Sequence, residues 1–302
     1  MRYITTCELN EIIRRNINII PYDVDLVVGI PRSGMLAASI IALLRNIRLT
    51  DIDSFINGRI YDLGRSGHEI KNKKIKKVLI VDDTIQSGRS MAEARNKIAQ
   101  LDNQYQILYC AIIASTRSIH MVDIYFTIID DTRFFEWSFT RTHLLNQACV
   151  DIDGVICCNP KIDDDGEAYR SFLNDAEPLH IPQTRIDTLI SCRLEKYRSQ
   201  TTNWLKKYYI EYDNLIMLDL PNKQSRTNWG KPGEWKAEYY KKSNTVLFIE
   251  SSAYLSKKIA KISHKPVFCI ETNQLLIIPQ QKPFLKRAIR KIKKMLNNLL
   301  TS

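Results

Sequence analysis

Four apolar residues running into two adjacent carboxylates, Val78-Leu79-Ile80-Val81-Asp82-Asp83, constrain this chain more than any other feature. An apolar run without polar alternation reads as a strand buried on both faces, as in a parallel sheet. The turn Thr84-Ile85-Gln86-Ser87-Gly88-Arg89-Ser90 follows, and Met91, Ala94, Ile98 and Leu101 then recur at helical spacing. Ligands of open α/β sheets bind at the carboxyl ends of the strands. Backbone N–H groups of the turn and of the helix start suit a phosphate. The two carboxylates can accept hydrogen bonds from sugar hydroxyls. A phosphate at one end and vicinal hydroxyls at the other describe a ribose 5-phosphate.

The same pattern occurs about fifty residues earlier. Glu8 to Ile19 reads as a helix, Leu26 to Ile30 as a strand, Pro31-Arg32-Ser33-Gly34 as its turn and Met35 to Leu44 as the next helix. Taken together, these segments resemble the type I phosphoribosyltransferases. Residues 78–90 are similar to the motif that binds phosphoribosyl pyrophosphate (PRPP), and residues 31–34 to the pyrophosphate loop. The resemblance implies PRPP contacts from Arg32, Ser33, Gly34, Asp82, Asp83, Thr84, Gln86, Ser87, Gly88 and Ser90, with Arg32 and Ser33 on the diphosphate. The family has a flexible loop that closes over PRPP; Asn57 to Glu69, with Arg59 and Arg65, lies in that place. Strands are predicted over 107–114 and 124–128. Beyond them, Phe135, Glu136 and Trp137 fall in the family's acceptor hood, where they can grip a flat base, grip a sugar ring, or pack the hood itself.

A second motif lies in the second half. In Cys149-Val150-Asp151-Ile152-Asp153-Gly154, two aspartates one residue apart leave a short apolar strand. One carboxylate can attack phosphorus while the other handles protons. Thr188 to Arg193 is an apolar strand with a hydroxyl near its end, followed by a helical stretch. Glu234 to Tyr240 carries Lys236, and Val246 to Ile249 is an apolar strand ending in Glu250-Ser251-Ser252. In order and spacing, these segments resemble the four motifs of the haloacid dehalogenase (HAD) superfamily of phosphatases. The resemblance implies Asp151 as nucleophile, Asp153 as general acid/base, Ser191 on the phosphoryl oxygens and Lys236 beside the phosphoaspartate, with Lys231 close by as a competing match. It also implies Mg²⁺ held by Asp151, Asp153 and Glu250. The family commonly has two acids where this chain has Glu250 followed by two serines, and fewer anionic ligands weaken Mg²⁺ binding. Asp163-Asp164-Asp165-Gly166 lacks the ligand spacing of a calcium loop and reads as a solvated turn.

The expected architecture is therefore α/β in two domains, each a parallel sheet flanked by helices: residues 1–146 phosphoribosyltransferase-like, 147–280 HAD-like, and a basic amphipathic helix over 281–302. A chain of 302 residues is long enough for both. Seven of its 44 lysines and arginines fall in residues 281–302, where there is no acid, so the net charge of +11 is partly a property of the tail. Such a helix can lie on an anionic membrane or pack on the protein. No recognition motif points to nucleic acid. The seven cysteines form no CxxC pair and read as free thiols of a reducing compartment. No signal peptide or membrane-spanning run is present, which places the chain in the cytoplasm, with the inner membrane face open to it through the tail.

Joining the two resemblances gives a functional expectation. Ribose 5-phosphate would pass from PRPP to an acceptor with release of pyrophosphate, and the second site would then remove the 5-phosphate. The pairing resembles phosphoribosyltransferase and phosphatase systems of bacterial polysaccharide assembly, which implies a glycan acceptor, and the tail suits one built on a lipid carrier. Nucleobase salvage with a nucleotide phosphatase, and a PRPP-sensing regulator, are the alternatives.

Overall fold

The computed structural model describes residues 1–61, 74–101, 103–162 and 164–279. Arg65 and the tail helix predicted over 281–302 lie outside the described residues. The chain divides into two compact units, Met1–Trp137 and Ser138–Ser302. The division falls earlier than Asn146, because Thr140 and the turn His143–Gln147 already pair and pack with the second sheet.

The first unit contains β1 (Arg2–Ile4), α1 (Thr6–Asn16), β2 (Leu26–Gly29), α2 (Ser33–Arg45), β3 (Arg48–Asp51), α3 (Ile52–Ile56), β4 (Lys77–Thr84), α4 (Arg89–Ile98), β5 (Gln106–Ala114), β6 (Ile124–Ile128) and β7 (Arg133–Phe135). Five strands form a parallel sheet in the order β3-β2-β4-β5-β6. The apolar run of β4 divides between two cores, since side chains alternate across a strand. Leu79 and Val81 face one core with Leu9, Ile13, Ala38 and Ile41. Val78 and Ile80 face the other with Met91, Ala94 and Ile98. β4 continues through Asp82, Asp83 and Thr84, so the acid pair belongs to the strand and not to the turn. The helix predicted over 8–19 stops at Asn16, and Ile17–Ile19 form a 3₁₀ turn. β1 and β7 pair in parallel as a separate two-stranded sheet, with Ile4 opposite Phe135.

The second unit contains β8 (Ala148–Val150), α5 (Glu167–Asp175), β9 (Ile186–Leu194), α6 (Arg198–Lys207), β10 (Tyr212–Leu218), α7 (Lys223–Trp229), α8 (Pro232–Lys242), β11 (Leu247–Glu250), α9 (Ala253–Ser263), β12 (Val267–Cys269) and β13 (Gln274–Leu276). Its sheet has the order β10-β9-β8-β11-β12-β13, parallel except for β13. The short, fully buried β8 lies between β9 and β11, with Val150 opposite both Leu189 and Ile249. The chain segments leaving β8, β9 and β11 therefore emerge side by side. No helix among the described residues is long and apolar enough to cross a membrane.

Candidate functional site

In the first unit the acid pair ends β4 between two helix starts. Neither α2 nor α4 has a side-chain N-cap, and α4 begins at Gly88 in the left-handed conformation (φ 74°). Both helices thus keep first-turn N–H groups available to an anion. The Pro31–Arg32 peptide is cis. Gln86, Ser87, Arg89 and Ser90 are exposed, whereas Asp82 and Asp83 are buried. Asp82 Oδ1 accepts from the Asp83 N–H at 3.0 Å. Burial, followed by the charge of Asp83, pushes the Asp82 carboxyl up to about 8.

Two expected contacts take a different form. Ser33 Oγ donates to Asp83 Oδ1 at 2.9 Å, so its hydroxyl is turned to the acid pair. Gly34 owes its place to close packing: a Cβ there would lie 2.7 Å from the Val81 carbonyl oxygen and 3.1 Å from Asp82 Cα. The hood segment is also bound within the unit. Phe135 and Trp137 stack on each other with ring centroids 4.9 Å apart. Glu136 accepts from the Thr6 N–H and hydroxyl, and Trp137 Nε1 donates to Asp83 Oδ2 at 3.0 Å. The sequence offered packing as one of three roles for these residues, and in the structure each has a partner inside its own unit.

Arg133 escaped the sequence reading altogether. Its buried guanidinium donates to Thr84 Oγ1 and to the carbonyls of Ile85 (3.2 Å) and Ile129 (2.8 and 3.0 Å). Burial lowers its pKa, opposed by Asp130 and Asp83. This side chain fixes the turn that follows the acid pair.

In the second unit, Asp151, Asp153, Ser191, Lys236 and Glu250 all line one cavity of about 560 Å³, together with Gly154, Asn159, Cys192, Ser251 and Ser252. The Asp151 N–H donates to the Ile249 carbonyl (3.0 Å), which joins the chain after β8 to β11. Gly154 (φ 76°) lets this turn approach Ser251: a Cβ would lie 2.6 Å from Ser251 Cβ. The β9–β10 register shifts between Ile216 and Leu218, next to Ser191. Lys236 projects from α8 and is buried, whereas Lys231 is exposed. Lys236 Nζ lies 2.7 Å from Asp151 Oδ2 and 2.8 Å from Glu250 Oε2. Burial works against the ammonium, yet Asp151 and Glu250 hold its pKa above the ordinary lysine range. Burial and the charge of Glu250 push the Asp151 carboxyl up, with Lys236 opposing. Two acids and one ammonium thus share one buried corner of the cavity.

The sequence did not single out Arg193. Its guanidinium, fully buried, donates to Asp153 Oδ1 at 2.7 Å through Nη2 and at 3.1 Å through Nε. It also reaches Thr201 Oγ1 (3.3 Å) and Cys157 Sγ (3.2 Å). The clue was in the spacing: Arg193 is two residues beyond Ser191 on one strand, and the strand period puts both on one face.

Mg²⁺ is the ion the sequence implies, and Asp151, Asp153 and Glu250, the residues that would hold it, line the same cavity. Glu250 Oε1 accepts from the Ser251 N–H (2.9 Å), the Ser251 hydroxyl (3.2 Å) and the Ser252 N–H (3.2 Å), while Oε2 faces Lys236. An oxygen has two lone pairs, so Oε1 is fully taken while Oε2 keeps one acceptor position beside Lys236. Glu250 is thus a counter-charge of Lys236. Asp153 is taken by Arg193. Among the described residues, no group of three His, Cys, Asp or Glu side chains is placed to hold a metal. The Asp165 carboxylate accepts from Lys196, Tyr197 and the Lys223 N–H, which makes it a structural tie. All seven cysteines are free, and burial pushes the Cys192 thiol up to about 12. That thiol is no nucleophile at neutral pH.

A parallel sheet with an acid pair at its carboxyl edge, between two uncapped helix starts, has the groups that suit a phosphorylated sugar. Residues 6–143 match the family model described as "Phosphoribosyl transferase domain", so the first part of the chain is a phosphoribosyltransferase domain. Similar solved structures include the purine phosphoribosyltransferase from Pyrococcus horikoshii Ot3, at 18% identity, covering 45% of this chain and 92% of that one, TM-score 0.33. The Helicobacter pylori xanthine-guanine-hypoxanthine phosphoribosyltransferase matches at 17%, covering 45% and 90%, TM-score 0.33. The Leishmania donovani UMP synthase matches at 17%, covering 40% and 27%, TM-score 0.31. A search of curated proteins finds no match.

Proposed function

We propose that this chain transfers ribose 5-phosphate from PRPP to a glycan acceptor and then removes the 5-phosphate at its second site. The observation that carries the first step is the Asp82–Asp83 pair set between the uncapped starts of α2 and α4. The C1–oxygen bond of PRPP breaks, pyrophosphate leaves with the electron pair, and an acceptor hydroxyl attacks C1 and loses its proton. Helix-start N–H groups and Arg32 offset the charge that grows on the leaving diphosphate. Inversion of the α-linked donor gives a β-linked ribose 5-phosphate.

For the second step, the HAD resemblance is supported by Asp151, Lys236 and Glu250 in ion-pair contact on one cavity with Ser191. The central place of β8 between β9 and β11 supports it as well. In this reading Asp151 attacks phosphorus, the ribose alcohol leaves, and water hydrolyses the aspartyl phosphate. Lys236 balances the charge, and Asp153 is the acid/base.

A glycan is favoured over a base because a phosphatase would undo nucleotide synthesis. A nucleobase acceptor remains the second reading, supported by the aromatic pair Phe135 and Trp137. Incubating the protein with PRPP, Mg²⁺ and panels of sugar acceptors and nucleobases decides between them by mass spectrometry. The glycan reading expects a pentose added without phosphate by wild type, and with phosphate by Asp151→Asn. Nucleotide formation with no glycosylation reverses the ranking, and release of pyrophosphate with none of the acceptors rejects both.

A further inference from the structure

The Asp83 carboxylate is held from two sides by elements far apart in the chain. Ser33 Oγ, at the start of α2, donates to Oδ1 at 2.9 Å. Trp137 Nε1, two residues past β7, donates to Oδ2 at 3.0 Å. Each carboxylate oxygen has two lone pairs. One donor on each oxygen therefore fixes the plane of the group and leaves one acceptor position on each. Two acceptor positions on one fixed carboxylate suit a pair of adjacent hydroxyls.

The indole is itself locked. It stacks on Phe135 at 29° between ring planes, Phe135 sits opposite Ile4 in the two-stranded sheet, and the intervening Glu136 is tied to Thr6. The orientation of Asp83 thus depends on the hood, whereas Asp82 is held by the adjacent backbone N–H.

We propose that Trp137 and Ser33 are positioning residues for sugar recognition. They hold Asp83 to accept the 2- and 3-hydroxyls of a ribose phosphate, and so set a preference for ribose over deoxyribose. This rests on the reading of the first unit as a PRPP site, and it gives Ser33 a sugar-directed role in place of the diphosphate contact expected from sequence.

Isothermal titration of the full chain with ribose 5-phosphate, 2-deoxyribose 5-phosphate and pyrophosphate, each with Mg²⁺, tests it. Trp137→Phe keeps an aromatic ring on Phe135 and removes the N–H. Its affinity for ribose 5-phosphate should fall on the order of tenfold, the loss of one hydrogen bond to a charged group. Affinity for pyrophosphate should stay within about twofold, and the preference for ribose over 2-deoxyribose should narrow. Ser33→Ala should give the same pattern. Equal losses on all three ligands with a lowered melting temperature would reduce Trp137 to a packing residue and overturn the proposal. An unchanged ribose preference in both variants overturns it as well. Wild type binding none of the three ligands rejects the PRPP site itself.

Discussion

Arg193 and Asp153 form an ion pair with Nη2 2.7 Å from Oδ1, the arginine side chain wholly out of solvent and the aspartate 21% exposed. Burial alone would lower the arginine pKa, and the Asp153 charge more than reverses this. Removing the arginine leaves the partly exposed Asp153 carboxylate without its partner. Arg193→Met should cost about 1.5–3 kcal/mol of unfolding free energy, the loss of hydrogen bonds to a charged group. Adding Asp153→Asn should recover part of the loss, a coupling that a double-mutant cycle in urea measures. A single-variant cost below about 1 kcal/mol would be that of an exposed pair and would mean that the pair does not form.

Lys236 meets two acids and has no substitute nearby. Lys236→Met would leave Asp151 and Glu250 buried and facing each other without a cation. The expected result is a loss of about 3–5 kcal/mol together with loss of the phosphatase activity proposed for this site. Exposed Lys231 is the control. Lys231→Met should stay within about 0.5 kcal/mol of wild type and keep activity. Equal effects at the two positions would contradict the placement of Lys236.

The strands that carry the acids were legible because they are buried apolar runs that end in side chains a core would reject, whereas β3 and β10, only partly buried, were not. Asp82, Asp83, Asp151 and Glu250 mark strand ends for that reason. What stayed hidden was pairing across long sequence separations. Trp137 finds Asp83 and Ser33 finds the same acid through tertiary packing that no local spacing encodes. Arg133 and Arg193 were not singled out, since a sequence does not show which arginine will be desolvated. Ser251 and Ser252 stand where a second acid was expected, and the sequence did not show that both donate to Glu250 Oε1.

Gly34 tests how tightly α2 approaches β4. In Gly34→Ala the new methyl would meet the backbone of Val81 and Asp82 at 2.7 and 3.1 Å, atoms that cannot swing aside as a flexible side-chain end could. The variant should lose about 1–3 kcal/mol through overpacking and weaken PRPP binding, because the start of α2 must move. Thermal unfolding and PRPP titration check this, and a fully stable variant with native affinity would show that the interface has slack. The contrast is Gly58, whose added Cβ would meet nothing within 4 Å, although its φ of 69° still disfavours a side chain.

Asp82 should make the first unit less stable as pH rises. Its folded carboxyl is pushed up to about 8 by burial and by Asp83, whereas an unfolded aspartate titrates near 3.8. Between those values the folded chain holds a proton that the unfolded chain has released. Unfolding free energy changes with pH in proportion to protons bound unfolded minus folded, a negative difference here. This group's contribution is thus most favourable below about pH 4, declines up to about pH 8 and is flat beyond. The full span is on the order of a few kcal/mol. Asp82→Asn keeps an oxygen for the Asp83 N–H and removes the titration. The variant should match wild type near pH 4 and exceed it increasingly toward pH 8, measured by urea unfolding across that range. It should also lose ribosyl transfer at every pH. A stability difference that does not change with pH would mean that Asp82 is not buried beside a second acid.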